Sequence, residues 1–130
     1  MSEGLPPGHR VKKRGEFRRI QGRGRKVHTR HLILLVHPSL CGADHARLGV
    51  TITKKVGNAV ARNRLRRLLR EIFRRHRELF PPASDVVIVA KRGAPTLSYA
   101  ALLSELRRAS KALHRAAAEP KPPPPRGERQ

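Results

Sequence analysis

The chain has 130 residues and carries 30 Lys or Arg against nine Asp or Glu, a formal charge of +21. Charge of that density opposes compaction and attracts a polyanion, so the candidate partners are nucleic acid, an anionic membrane or an acidic protein. One cysteine, Cys41, excludes an internal disulfide and a paired-thiolate metal site.

Residues 1–9 and 119–130 are rich in Gly, Pro and charge and read as disordered tails. Between them, residues 10–118 have the length of one domain with a modest core. GEFRRIQGRGR predicts a short first helix, with Phe17 and Ile20 on one face and Gly22 and Gly24 at its end. His31–His37, HLILLVH, predicts a buried strand, because its apolar residues are contiguous and no helix cap precedes them. His28 and His31 then fall on opposite sides of an extended segment and do not chelate together. The loop PSLCGADHA follows, then RLGVTIT, which alternates Leu48, Val50 and Ile52 with Gly49, Thr51 and Thr53.

Lys54–Arg77 holds ten Lys or Arg in 24 residues with one acid, Glu71. Asn58 is a candidate N-cap for a helix through it. At helical spacing Leu65, Leu68, Leu69, Ile72, Phe73, Leu79 and Phe80 fall in one apolar stripe, within about 80° of Leu65. One flank collects Arg66, Arg77, Arg70, Asn63, Arg74 and Arg67 with no acid. The other holds Glu71, Glu78, Arg64 and Arg75, where opposite charges can pair along the helix. Lys54 and Lys55 precede the positive end of the helix dipole, which favours phosphate. After this, PPASD breaks the chain, DVVIVAK predicts a third strand, and Leu102, Leu103, Leu106, Ala109 and Leu113 mark a last helix. The order α-β-β-α-β-α indicates an α+β fold, a two-layer α/β sandwich.

The apolar stripe of the basic helix is committed to a core, which disfavours membrane binding. Zinc-finger and helix-turn-helix signatures are absent. Structured RNA, recognised through shape and phosphates, is the favoured partner. No catalytic residue is assigned, because the acids are scattered and protein-catalysed phosphodiester hydrolysis needs carboxylates gathered around metal ions. His37, Cys41 and His45 match no common zinc spacing, and His76 reads as a core histidine. No metal site is predicted.

RLGVTITKKVGNAVARNRLRRLLREIFR, residues 47–74, resembles the signature of the bacterial ribonuclease P protein component. In that family a strand and a KK-x-G-N-A-V loop lead into a helix opening with R-N-R. Phe17–Arg18 and DVVIVAKRGA are similar to the family's pattern too. The resemblance implies the small subunit of a ribonucleoprotein that removes 5′ leaders from precursor tRNA; a cytoplasmic location is expected from an N-terminus without the apolar run of a secretory signal. It implies a fold similar to the second domain of a ribosomal small-subunit protein, with a left-handed βαβ crossover through the basic helix. Its partners would be ribonuclease P catalytic RNA and precursor tRNA, with no membrane and no obligate protein partner. The RNA would perform hydrolysis with Mg2+ that it binds itself, and the protein alone would bind none. Lys54, Lys55, Asn58, Arg62, Asn63, Arg64, Arg66, Arg67, Arg70 and Arg74 would meet the RNA. Phe17, Gln21 and Leu35 would line a cleft for the single-stranded leader. A ribosomal-type structural rRNA-binding protein and a nucleic-acid chaperone are the alternatives; the R-N-R start behind K-K-x-G-N favours the first reading.

Overall fold

The computed structural model describes residues 7–118. The tail expected over 119–130, and residues 1–6 of the one expected over 1–9, lie outside the described residues; Pro7–His9 form a 3-10 turn. The elements that follow are α1 (Arg14–Arg23), β1 (Arg25–His28), β2 (Leu32–Pro38), β3 (Arg47–Thr51), α2 (Ala59–Arg75), β4 (Ser84–Ala90) and α3 (Tyr99–Ala118). Further 3-10 turns occupy Arg77–Leu79 and Ala94–Thr96.

The sheet order is β1-β2-β4-β3. β2 runs antiparallel to both β1 and β4, whereas β3 is parallel to β4. Parallel neighbours cannot be joined by a tight turn, and here the connection is α2. The α+β sandwich is therefore as predicted, with one strand added. β1 was not predicted: RKVH is four residues long and mostly cationic, too short to show alternation. Its presence also separates His28, at the end of β1, from His31, in the turn before β2, so the two do not share one strand.

Alternation along the strands sorts the core. Leu34, Val36, Val86 and Ile88 face Leu65, Leu69, Ile72 and Phe73 of α2 and Leu102, Leu106 and Leu113 of α3 in the main cluster. The opposite face carries a smaller cluster, Val11, Ile20, Leu35 and Val87, covered by α1. Ile20 is fully buried, which contributes about 2–3 kcal/mol. α1 runs through Gly22 and stops at Gly24, whose N–H donates to the Ile20 carbonyl at 2.7 Å. A Cβ on Gly24 would lie 2.5 Å from that oxygen, so only glycine fits this joint.

Two polar clusters lock the layers. Arg47 is buried and forms a bidentate pair with Asp85, at 2.8 and 2.7 Å, linking the starts of β3 and β4. Glu16 of α1 stands 3.4 Å from the same guanidinium. At the other end, Glu105 of α3 accepts from the His31 backbone at 2.8 Å, lies 2.9 Å from His31 Nδ1 and meets the Thr29 hydroxyl. Burial alone raises the Glu105 pKa, but the hydrogen bonds from Thr29 and His31 outweigh it and hold the carboxyl below its usual range.

Candidate nucleic-acid interface

α2 begins as predicted. Asn58 is extended and its Oδ1 accepts from Ala61 N at 2.8 Å, the N-cap bond. This commits the Asn58 side chain to shaping the helix start. Lys54 and Lys55 lie exposed in the turn before it. Gly57 faces Ala61 and Pro95, and its carbonyl accepts from Arg62 Nε at 3.1 Å.

Leu65, Leu69, Ile72 and Phe73 are all fully buried, so the apolar stripe sets the rotation of α2 and turns the arginine arc outward. Asn63 is exposed and its Oδ1 accepts from Arg66 at 3.0 Å. An amide inside an arginine arc thus orients a neighbouring guanidinium without neutralising it. Arg67 is exposed beside it, and Arg70 is half-buried. Burial first, and then the neighbouring charges of Arg10 and Arg66, lower the Arg70 pKa.

Four expectations for α2 change. The helix ends at Arg75, with His76 as C-cap, so Arg77 leaves the arc. Its guanidinium instead lies 5.6 Å from the Phe73 ring centroid and 3.0 Å from His9 Nδ1. Arg74, predicted in the acid-free arc, reaches back one turn to Glu71 at 2.6 Å, where Glu71 also takes Arg75. Arg64, predicted among the ion pairs, donates to the carbonyls of Pro95 at 3.0 Å and Leu97 at 3.3 Å. It fastens α2 to the segment that leads into α3. Glu78 lies 3.7 Å from His76 and is exposed, not paired to an arginine. The outward arc that remains is Asn63, Arg66, Arg67 and Arg70, with Arg62 and Arg64 braced against backbone at its edge.

A second surface lies on the opposite face of the sheet, beside α1. Phe17 rests on Gly49, where a Cβ would come within 2.8 Å of two ring carbons. Gln21 Nε2 donates to Thr51 Oγ1 at 3.2 Å, bridging helix and sheet. Leu35 is only 3% exposed and forms part of the floor under α1. Partly exposed Ile33 and Val89 border the same cluster. Register pairs Lys26 with Leu35 and His28 with Ile33, so two exposed polar residues of β1 extend this face. They went unpredicted because β1 itself did.

Among the described residues no three His, Cys, Asp or Glu side chains come together as metal ligands, and no helix is long and apolar enough to cross a membrane. His37 Nδ1 lies 2.7 Å from the Pro38 carbonyl, and His45 Nε2 lies 2.9 Å from that of Gly8.

The family model described as Ribonuclease P matches residues 5–114. The Ribonuclease P protein component of Desulfovibrio desulfuricans is 45% identical over 104 residues, covering 78% of this chain and 80% of that one. Its counterpart from Gluconacetobacter diazotrophicus is 46% identical over 101 residues, covering 77% and 86%. The solved RNase P protein of Staphylococcus aureus superposes with a TM-score of 0.71 at 32% identity, covering 80% of this chain and 94% of that one. That of Thermotoga maritima gives 0.70 at 27% identity, covering 82% and 96%. The sorted arginine helix between two parallel strands and these likenesses agree: the chain belongs to the ribonuclease P protein component family.

Proposed function

We propose that this chain is the protein subunit of a ribonuclease P ribonucleoprotein that assists removal of the 5′ leader from precursor tRNA. The observation that carries the reading is the outward face of α2, where Arg66, Arg67 and Arg70 stand together with Asn63 and no acid among the described residues. Such a face gains by binding phosphates, which relieve its self-repulsion and release condensed counterions. Lys54 and Lys55 extend it beyond the helix start.

Hydrolysis and its Mg2+ are assigned to the RNA partner. What supports this is how the described carboxylates are used: Asp85 and Glu16 hold Arg47, Glu71 holds Arg74 and Arg75, and Glu105 holds the β1–β2 turn. The other two, Asp44 and Glu78, are exposed and stand apart beside His45 and His76, so the described carboxylates are not gathered in one place. The chain's part is then positional: α2 fixes it on the RNA, and the face around Phe17 and Gln21 receives the single-stranded leader. With Leu35 buried, contact there comes from the half-exposed ring of Phe17 and its polar neighbours rather than from an aromatic stack.

The test adds the purified chain to a bacterial ribonuclease P RNA and follows precursor tRNA cleavage at low Mg2+. Restored cleavage is expected; no restoration would overturn the reading. Phe17→Ala is expected to weaken binding of precursor tRNA more than of mature tRNA, and equal loss for both would remove the leader cleft.

A further inference from the structure

α2 presents to solvent one large apolar side chain that its fold does not use. Val60, in the first turn, is 79% exposed, and among the described residues it is the only large hydrophobic left so open. At helical spacing it points about 160° away from the middle of the stripe formed by Leu65, Leu69, Ile72 and Phe73. Core packing therefore does not account for it. Helix formation does not either, because a β-branched residue is a weaker helix former than Ala59 and Ala61 beside it.

A single apolar residue on a surface is ordinary. This one is set apart by its surroundings. Asn63 and Arg67, three and seven residues on, lie in line with Val60 along the helix, and both are exposed. Asn63 Oδ1 accepts from Arg66 at 3.0 Å, which holds a second guanidinium beside that line. Glu71, the acid further along, is taken by Arg74 and Arg75 at 2.6 Å each. On the other side of Val60, Lys54 and Lys55 are exposed in the turn before the helix. Val60 is thus an apolar step between two groups of cations, and a polyanionic strand held by both would pass over it.

Charge complementarity selects an anionic partner for this face but leaves the apolar step unanswered. Structured RNA matches both features, with phosphates for the cations and, at loops and bulges, the apolar face of an unpaired base. Bases inside a duplex are stacked and offer no such face.

We propose that Val60 packs against an unpaired base of ribonuclease P RNA, while Arg66, Arg67 and the two lysines hold phosphates on either side of it. The inference rests on the RNA-binding reading of α2 and deepens it. Phosphate contacts position the chain, and the apolar contact selects RNA with unpaired bases over a duplex of equal charge.

The test measures binding of the full chain to a bacterial ribonuclease P RNA across a salt series, for Val60→Ala, Val60→Thr and Arg66→Ala. A duplex RNA of mixed sequence serves as the second probe. Thr keeps the shape and the β-branch of Val but replaces a methyl with a hydroxyl. Both Val60 variants should bind the ribonuclease P RNA about three- to tenfold more weakly at every salt concentration. Their salt slope should stay that of the unaltered chain, because an apolar contact releases no counterions, and their duplex affinity should not change. Arg66→Ala should flatten the slope on both RNAs. Unchanged affinity for both Val60 variants, with Arg66→Ala weakened, would overturn the base contact and leave the α2 reading standing. If Arg66→Ala has no effect either, the α2 reading fails and the Val60 contact with it. An equal loss on duplex RNA, or a flattened slope for the Val60 variants, would overturn the contact with an unpaired base. Alanine favours helix more than valine, so the denaturation midpoint of Val60→Ala should be equal or higher. A lower midpoint would show that Val60 serves the fold instead.

Discussion

Arg47 and Arg70 are both drawn partly out of water, and they meet opposite surroundings. Arg47 has Asp85 in bidentate contact and Glu16 behind it, so its pKa is raised: the Asp85 hydrogen bond outweighs burial. Arg70 has burial and two arginines, and its pKa is lowered. One guanidinium is neutralised within the protein, and the other is left among like charges, which an anion from outside would relieve. Burial therefore does not distinguish a structural arginine from a recognition one. The sign of its neighbours does.

The largest test of this contrast is Asp85→Asn, which leaves Arg47 buried with only Glu16 nearby. Breaking a buried pair from one side costs about 3–5 kcal/mol, readable as a lower denaturation midpoint. A loss below about 1 kcal/mol would mean that Arg47 is not the structural member of the comparison. Next in size, Arg66→Ala should weaken RNA binding about tenfold and flatten its salt dependence while leaving the denaturation midpoint equal or higher. A marked drop in stability would show that α2 needs this arginine for folding. Smallest is Glu71→Gln, which removes the acid that offsets Arg74 and Arg75 and should raise RNA affinity about two- to threefold at low salt, with little change in stability. Lower affinity would assign Glu71 an ordering role instead. Acid should act in the same direction. The hydrogen bond from Arg74, then the charges of Arg74 and Arg75, hold the Glu71 carboxyl below its usual range. The stability these pairs add is therefore present above the ordinary carboxylate pKa and is lost as pH falls through the lowered one.

α2 was legible because its periodicity is local. The stripe at Leu65, Leu69, Ile72 and Phe73 and the cap at Asn58 depend only on neighbours along the helix, and both are in place. What a helical wheel cannot show is reach. Arg74 lies on the acid-free flank by angle, yet its side chain spans one turn to Glu71; Arg64 lies beside the acids by angle, yet it reaches Pro95, 31 positions away. Arg47 was unreadable for the same reason, since its significance comes from Asp85 on the neighbouring strand. The one signal available for Arg47 was a charge at the head of an apolar strand, matched by Asp85 at the head of another. The side of α1 that carries Phe17 and Ile20 onto the sheet was legible, but the depth of Leu35 depends on where α1 settles over it.

That settling depends on an absent side chain. Phe17 Cε1 and Cζ close over Gly49, where a Cβ would come within 2.8 Å of both, so there is no room at 49 for a side chain between α1 and β3. Positions 17 and 49 consequently cannot drift independently. A methyl at 49 calls for a smaller residue at 17 or a tilt of the helix, and such a tilt would strain the Gln21–Thr51 bridge one turn further on. The pair therefore sets how closely α1 can approach β3, and with it the spacing of the whole face around Phe17.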